Sequence, residues 1–192
     1  TFAQAMNPPA YHLDVMRGND VTPAQEQFIN HWNQCYFGEV AVAKGLTKAP
    51  VHWRLILRQD QCLLSHVALT ELGIEMDGQM MKAGAVGGLF TPHPLHGMGH
   101  GNSLMDRAEE FIFDRLKLSI GILFCLPELV PFYSKRHWSL VTPPVTLEQK
   151  GGLATWGAAV MILFADRTQS GQHSIHVPIP ARDSERIDST TE

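Results

Sequence analysis

The sequence has little of what would place it in several large protein classes. Its three cysteines, Cys35, Cys62 and Cys125, form an odd and sparse set. No disulfide framework is expected from them, and a reducing cytoplasm is the expected compartment. No apolar run is long enough to span a bilayer. Residues Thr1 to Pro9 lack the charged-then-apolar order of a secretory signal, although a start on Thr1 and not Met leaves a trimmed leader open. Charge is also short: 15 basic against 19 acidic side chains leave a net charge of -4, which gives no general attraction for nucleic acid or an anionic membrane. Any anionic ligand must be held by a local device. There is no internal repeat.

What remains is an ordinary globular composition, 192 residues with 44% hydrophobic and 18% charged, enough to bury one core without metal or disulfides. One domain is expected over residues 1–165, followed by a polar, loosely ordered tail over 166–192. An arm leads to a short strand near Tyr11–Met16. Thr22-Pro23 starts a helix, with a hydroxyl N-cap and proline at the first helical position; it should run to about Cys35, and Phe37 to Ala43 suggests a second short helix ending near Gly45. Val51–Arg58, Cys62–Glu75 and Met80–Thr91 read as strands, the last two joined by the hairpin signal Asp77-Gly78. Asn102–Leu116 carries Leu104, Met105, Ala108, Phe111, Ile112 and Leu116 at helical spacing, with Asp106–Glu110 as its solvated side. Leu118–Cys125 is a continuous apolar run suited to a buried strand. Pro127–Lys135 is a short helix or turn. Trp138–Val141 and Ala158–Phe164 read as the last strands, joined by a Pro143-Pro144 and Gly151-Gly152 loop that either closes over a ligand or merely connects. The order predicts a mixed α/β domain with helices on both faces of a sheet.

The informative stretch runs from Leu89 through Pro92, His96-Gly97-Met98-Gly99-His100-Gly101 and Asn102-Ser103. A strand enters a glycine turn that opens a helix. Free N–H groups at a helix start attract phosphate, and glycine lets the backbone adopt positive φ and lets a ligand approach. From the glycines alone, a turn that only redirects the chain stands level with a phosphate site. A Walker A loop is excluded, because Gly101 is followed by Asn102-Ser103 and not Lys-Ser/Thr. A dinucleotide fingerprint is excluded by the Gly97-x-Gly99-x-Gly101 spacing and the preceding antiparallel meander. His93, His96 and His100 lie close in sequence, but the intervening prolines and the lack of an interleaved acid or cysteine argue for loop histidines over a metal site. Cys125 reads as a buried packing thiol.

These residues resemble the GNAT superfamily of N-acetyltransferases. His96-Gly97-Met98-Gly99-His100-Gly101 is similar to the family's Arg/Gln-x-x-Gly-x-Gly/Ala segment, and Phe132-Tyr133-Ser134-Lys135-Arg136-His137-Trp138 is similar to its Phe-Tyr-x-x-x-Gly-Phe segment. One amphipathic helix and one buried strand separate the two. The resemblance covers residues 51–165, and Trp138–Leu163 is weakly similar to the aminoglycoside 2′-N-acetyltransferase branch. The chain departs from the pattern at His96, at His137 in place of glycine, and at Leu126 where many members carry Asn.

The resemblance implies a mostly antiparallel sheet whose middle strands splay, with helices on both faces, and acetyl-coenzyme A as the cofactor. It implies that Leu89, Phe90 and Thr91 pair with the pantetheine arm, and that His96, Gly97, Met98, Gly99, His100, Gly101, Asn102 and Ser103 hold the pyrophosphate. A backbone N–H near Phe90 would stabilise the oxyanion, and Tyr133 would give a proton to the departing thiolate. Glu71 and Glu75, four apart on one strand and therefore on one face, are the candidate bases for the amine. The expected acceptor is a small-molecule or peptide amine, with a homodimer through the late strands a further expectation. Two other readings stay open: transfer of a longer acyl chain from coenzyme A or a carrier protein, with Met80, Met81, Leu89 and Phe90 lining its tunnel, and an acyl-coenzyme A-binding module without catalysis.

Overall fold

A computed structural model describes residues 11–44, 49–142, 144–149, 151–155, 158–169 and 171–178, and the side chains of 39–44 lie outside the description. The arm over residues 1–10, the helix end at Gly45, Pro143, Trp156 and the tail beyond 178 also lie outside it. Strand β1 is Tyr11–Arg17 and helix α1 is Pro23–Lys44. The cap at Thr22 is reciprocal: Thr22 Oγ1 accepts from the Gln25 N–H at 3.3 Å, and Gln25 Oε1 accepts from the Thr22 N–H at 2.9 Å. This capping box fixes where α1 begins. The two helices expected over 22–45 are one, because no residue between Cys35 and Phe37 breaks it.

Strands β2 (Trp53–Gln59), β3 (Cys62–Met76) and β4 (Gln79–Phe90) form an antiparallel meander, with Asp77 and Gly78 at positive φ in the second turn. Helix α2 is His100–Glu110 and continues as a π turn over Phe111–Arg115. It begins two residues earlier than expected, since Gly99 at φ 84° serves as its N-cap. Strand β5 is Ile120–Cys125, helix α3 Val130–Ser134, β6 Ser139–Leu140, β7 Thr146–Gln149, β8 Gly152–Thr155, β9 Ala159–Phe164 and β10 Ile175–Val177.

These strands make one sheet, with the path β6-β9-β5-β4-β3-β10-β7-β8 and with β1 and β2 stacked on the first half of β3. The β4–β5 and β10–β7 pairs are parallel and the remaining pairs antiparallel. Two expectations are corrected here. The Pro/Gly loop contains a β7–β8 hairpin, with Thr146 opposite Thr155. The tail expected from residue 166 is not loose over its described part: Ile175 and Val177 are buried, and β10 pairs with both Met76 and Thr146 neighbourhoods.

Register separates the two faces of the sheet. Leu55, Leu57, Leu69, Val86, Leu123 and Leu163 form a core with Leu104, Met105, Ala108 and Ile112 of α2. Ile56 lies opposite His66, whose ring stacks on Phe90, and Phe90 packs against Phe28 of α1. Helix α1 therefore covers the face opposite α2. A second core, Leu72, Ile74, Ile120, Ile122, Val160, Ile162 and Val177, lies on the face of β5 and β9 opposite Leu123 and Leu163. The side of α2 expected to be solvated is corrected at Glu109, which is buried and accepts from Arg136 Nε (3.1 Å), Trp138 Nε1 (3.0 Å) and Arg167 Nη2 (3.3 Å). Three donors offset the cost of burying that carboxylate and tie α2 to the α3–β6 turn. Among the described residues no helix is long and apolar enough to cross a membrane.

Candidate functional site

Strands β4 and β5 run together for three rungs only, Gly84 with Gly121, Ala85 with Ile122 and Val86 with Leu123. Beyond Val86, β4 follows β3 and β5 follows β9, out to Cys125 opposite Ala159. The parting coincides with a bulge: His66 pairs with Phe90 and Ala68 with Gly87, so Gly88 and Leu89 together face the single residue Val67. Gly88 sits at φ 56°, a conformation that glycine adopts without the penalty other residues carry, as bulges of this kind require. The result is a gap in the sheet bordered by Gly87–Phe90 on one side and Phe124–Cys125 on the other.

The bulge is held by side chains from β2 and β3. His66 Nδ1 lies 2.9 Å from the Gly88 carbonyl oxygen and His66 Nε2 lies 3.1 Å from Arg54 Nη1. Arg54 Nε in turn donates to the Gly18 carbonyl at 2.9 Å. Burial, outweighing the hydrogen bond to Gly88, pushes the His66 imidazole down to about 4, so it is neutral at physiological pH. Ser65 Oγ donates to the Phe90 carbonyl at 2.8 Å, and the Thr91 carbonyl accepts from Tyr36 Oη at 3.1 Å and from His96 Nε2 at 2.7 Å.

After Thr91 the chain makes one turn of 3-10 helix over His93–Leu95 and then the glycine turn, with Gly97 at φ 78° and Gly99 at φ 84°. Among the described residues no acceptor meets the N–H groups of Gly97, Met98, Gly99, His100, Gly101 or Asn102; the first to find one is Ser103, which donates to the Gly99 carbonyl at 2.9 Å. A side chain built at Gly97 or Gly99 would meet nothing within 4 Å, whereas one at Gly101 would touch Thr91 Oγ1 at 3.5 Å. The first two glycines thus serve the backbone conformation and the third the contact with the strand end. Six consecutive donors at a helix start, beside the exposed Gly97, Met98 and Gly99, are a ready anion site. Met98, Asn102 and Ser103 are exposed at its rim, and His100 is buried beneath the Tyr11 ring, with centroids 5.6 Å apart.

Tyr133 projects from α3 into the core that also holds Val86, Leu104, Leu123 and Cys125, with Leu89 packed against it. It is 6% exposed, and burial, with a smaller contribution from neighbouring Cys125, holds its phenol well above the usual tyrosine range. Burial and Glu128 likewise raise the Cys125 thiol. Both groups stay protonated beside the β5 edge of the gap.

Known structures supply a match where sequence comparison does not: no family model and no curated protein matches the sequence. ElaA of Escherichia coli superposes with a TM-score of 0.57 at 13% identity, over 80% of this chain and 99% of that one. The GNAT family N-acetyltransferase YhbS of Escherichia coli, solved in complex with CoA, gives 0.57 at 12% identity, over 89% of this chain and 92% of that one. A GNAT family acetyltransferase of Brucella melitensis, solved in complex with acetyl-CoA, gives 0.52 at 11% identity, over 85% and 94%. The chain has the GNAT fold.

Against the GNAT pattern, the structure places the expected residues unevenly. Leu89, Phe90 and Thr91 border the gap and lead directly into the glycine turn. His96, at the family's Arg/Gln position, has its ring turned back onto Thr91 and Tyr36, 3.2 Å from Tyr36 Oη. His137 takes φ 68°, the left-handed conformation that the family's glycine would favour. Glu71 and Glu75 are not brought to the gap. They stand opposite Gly84 and Met80, on the half of β3 that faces the still-paired part of β4 and the hairpin. The reason is register: an antiparallel partner sets the end of β4 beside the beginning of β3. Met80, 64% exposed, and Met81 pair with Glu75 and Ile74 near the same hairpin, away from the bulge. Sequence reasoning missed Arg54, His66 and Tyr36; the signal was an imidazole and a guanidinium set among apolar residues inside two strands. A cavity of about 280 Å³ lined by Ser134, His137, Trp138, Phe164, Arg167 and Gln169 lies at the β6–β9 edge and contains none of the residues at the gap.

Proposed function

We propose that the chain transfers an acetyl group from acetyl-coenzyme A to an amine. One observation carries this reading: a gap between β4 and β5 ends at a helix start where six backbone donors have no partner among the described residues, so an extended arm and an adjoining diphosphate find consecutive places. The relatives solved with CoA or acetyl-CoA support the same cofactor. In this reading the amides from Gly97 to Asn102 receive the pyrophosphate with no arginine, His96 steadies the strand end, and Leu89, Phe90 and Thr91 lie along the pantetheine. The Thr91 carbonyl is already taken by His96 and Tyr36, so Thr91 contributes its N–H.

The neutral amine nitrogen attacks the thioester carbon, the carbon–sulfur bond breaks, the sulfur leaves as thiolate, and the nitrogen gives up its extra proton to water to leave the amide. A backbone N–H at the bulge stabilises the negative charge that develops on the carbonyl oxygen. Tyr133 donates a hydrogen bond to the sulfur. The thiolate of a thiol of pKa ~8.5 is a weaker base than a phenolate near ~10 in water, and burial raises the Tyr133 phenol further, so Tyr133 keeps its proton while it hydrogen-bonds the sulfur and solvent protonates the departed thiolate. An alkylammonium such as lysine, near ~10.4, must shed a proton first. Register sets Glu71 and Glu75 below the parting of β4 and β5, so in this reading water takes it and proximity supplies much of the acceleration. With Met80 and Met81 far from the gap, a short acyl group is the better fit.

The test is thermal unfolding with and without acetyl-coenzyme A, followed by thiol release with a panel of amines. Ligand at a hundred times its dissociation constant stabilises the fold by about 2.7 kcal/mol, a shift of several degrees. No shift at millimolar ligand would end the proposal; a shift without thiol release for any amine would reduce it to binding.

A further inference from the structure

His66 is the least explained polar group in the protein. Its relative exposure is 0%, it sits on β3 between Leu64 and Val67 of the core, and it touches no solvent. Both ring nitrogens are committed, and the partners decide the proton. Arginine has only N–H donors, so Nε2 facing Arg54 Nη1 must present its lone pair. Nδ1 then carries the hydrogen and donates to the Gly88 carbonyl. An imidazolium would set Nε2–H against the guanidinium. The low imidazole pKa, about 4, agrees with that requirement, and with both nitrogens occupied His66 is no base.

What His66 fixes is one peptide plane. The described chain contains no cis peptide bond, so the N–H of Leu89 points opposite to the carbonyl of Gly88. That carbonyl is drawn toward β3. The Leu89 N–H is therefore turned away from the His66 ring. Glycine at φ 56° is free to rotate, and without a partner on its carbonyl this plane has no reason to hold one orientation. Phe90, stacked on the imidazole at 5.1 Å, and Tyr36, stacked on Phe90 at 6.3 Å, close the face above it.

Building on the acyl-transfer reading, we infer that His66, braced by Arg54, is a positioning residue that turns the Gly88–Leu89 peptide so that the Leu89 N–H meets the thioester carbonyl oxygen. It touches neither substrate and acts through the backbone. Arg54 selects the tautomer, and Gly18 anchors Arg54, so the chain of contacts runs from the loop after β1 to the reacting carbonyl.

Two amides separate the two ends of the ring. His66→Asn places its NH₂ near the position of Nδ1 and keeps a donor for Gly88. His66→Gln reaches Arg54 and leaves the Gly88 carbonyl without its bond. The expectation is that H66Q lowers kcat by about 10²-fold, the order of effect seen when a donor is misplaced or removed. KM for acetyl-coenzyme A and the dissociation constant for coenzyme A, which lacks the carbonyl, should stay within about 3-fold, and H66N should recover most of kcat. Equal kcat for wild type and H66Q overturns the inference; so does a loss shared equally by H66Q and H66N together with coenzyme A affinity, which would mark a packing role. Should the variants fail to fold, ¹⁵N spectra of histidine-labelled wild type decide: a neutral Nδ1–H tautomer persisting from pH 8 to pH 5 is expected, and an Nε2–H tautomer or a charged ring refutes it. If wild type itself neither binds coenzyme A nor releases thiol, the acyl-transfer reading has failed and the inference falls with it, a result distinct from equal turnover in H66Q.

Discussion

Acid should destabilise this protein through His66 before its carboxylates are protonated. The imidazole is fully buried and its pKa falls from 6.5 to about 4, first because burial penalises the charged ring. The unfolded chain takes up a proton at this residue below about pH 6.5, and the folded chain does so only near 4. Stability from this group is therefore intact above pH 6.5 and declines as pH drops toward 4. At ~1.4 kcal/mol per pH unit the full loss is about 3 kcal/mol, of which about 2 kcal/mol is gone by pH 5. Urea unfolding at steps from pH 7.5 to 5.0, for wild type and H66Q side by side, isolates the term because other titrations cancel between them. Asp77, lowered mainly by its bond from His173, and Asp166, lowered mainly by Thr168, titrate below this window. Whatever constant advantage wild type holds at pH 7.5 should shrink by about 2 kcal/mol at pH 5.0, roughly 4–8 °C in melting temperature for a chain of this size. Two parallel pH curves, or a gap that widens in acid, would show that the ring titrates normally and that its burial or its bond to Arg54 is misread.

Four further outcomes can be checked. Gly99→Val forces a branched residue to φ 84° and sets a side chain over the bare amides; coenzyme A affinity, measured by calorimetry, should fall at least 10-fold, while Gly101→Ala, with only an ordinary 3.5 Å contact to meet, should change it little. Tyr133→Phe should lower kcat for thiol release by 10- to 100-fold, in line with the usual worth of a hydrogen bond to a charged group, and leave the coenzyme A dissociation constant unchanged. Glu71→Gln and Glu75→Gln should each keep kcat within about 3-fold, with kcat/KM rising with pH toward the amine pKa in wild type and variants alike; an abolished rise in either would return that carboxylate to the role of base. Gly84→Ala brings a methyl within 2.7 Å of the Ile112 side chain and should cost about 1–3 kcal/mol in urea unfolding, whereas Gly73→Ala, with nothing within 4 Å, should cost under 1.

Local chemistry made most of the meander and the glycine helix legible in the sequence. Thr22-Pro23, Asp77-Gly78 and the spacing from Leu104 to Ile112 each carry their structural signal within a few residues, and each element appears where those signals put it. The glycine turn was legible for the same reason, down to its bare donors. Features made by register were not. Glu71 and Glu75 are adjacent on one face as alternation demands, but nothing local says which half of β3 lies beside the end of β4. Strand β10 escaped because the alternation of Ile175-His176-Val177 is only three residues long; pairing on both sides, through Met76 and Thr146, makes it a strand. Glu109 looked solvated within a charged run because its partners, Arg136, Trp138 and Arg167, come from 27 to 58 residues away. His66 and Arg54 were invisible as a pair because their contact depends on a bulge that no single residue announces.

The position of the gap follows from close packing at the first of the three rungs below it. Gly84 and Gly121 are register partners in the first parallel rung of β4 and β5. Neither has room for a side chain: a Cβ on Gly84 would lie 2.7 Å from Ile112, and one on Gly121 would lie 2.9 Å from Trp138. The π turn after α2 and the β6 entrance are therefore seated directly on the sheet backbone there, and Trp138 is held in turn by Glu109 of α2. Packed interiors resist deformation, so this rung acts as a fixed clamp. Two residues further on, Val86 and Leu123 make the last pairing, Gly88 bends β4 toward β3, and β5 has only β9 to follow. The same helix that clamps the glycine rung with its C-terminal end presents its N-terminal donors at the far end of the gap. A change that lifts Ile112 off Gly84 would thus move the anion site relative to the Leu89 peptide, coupling core packing to ligand geometry through a single rigid helix.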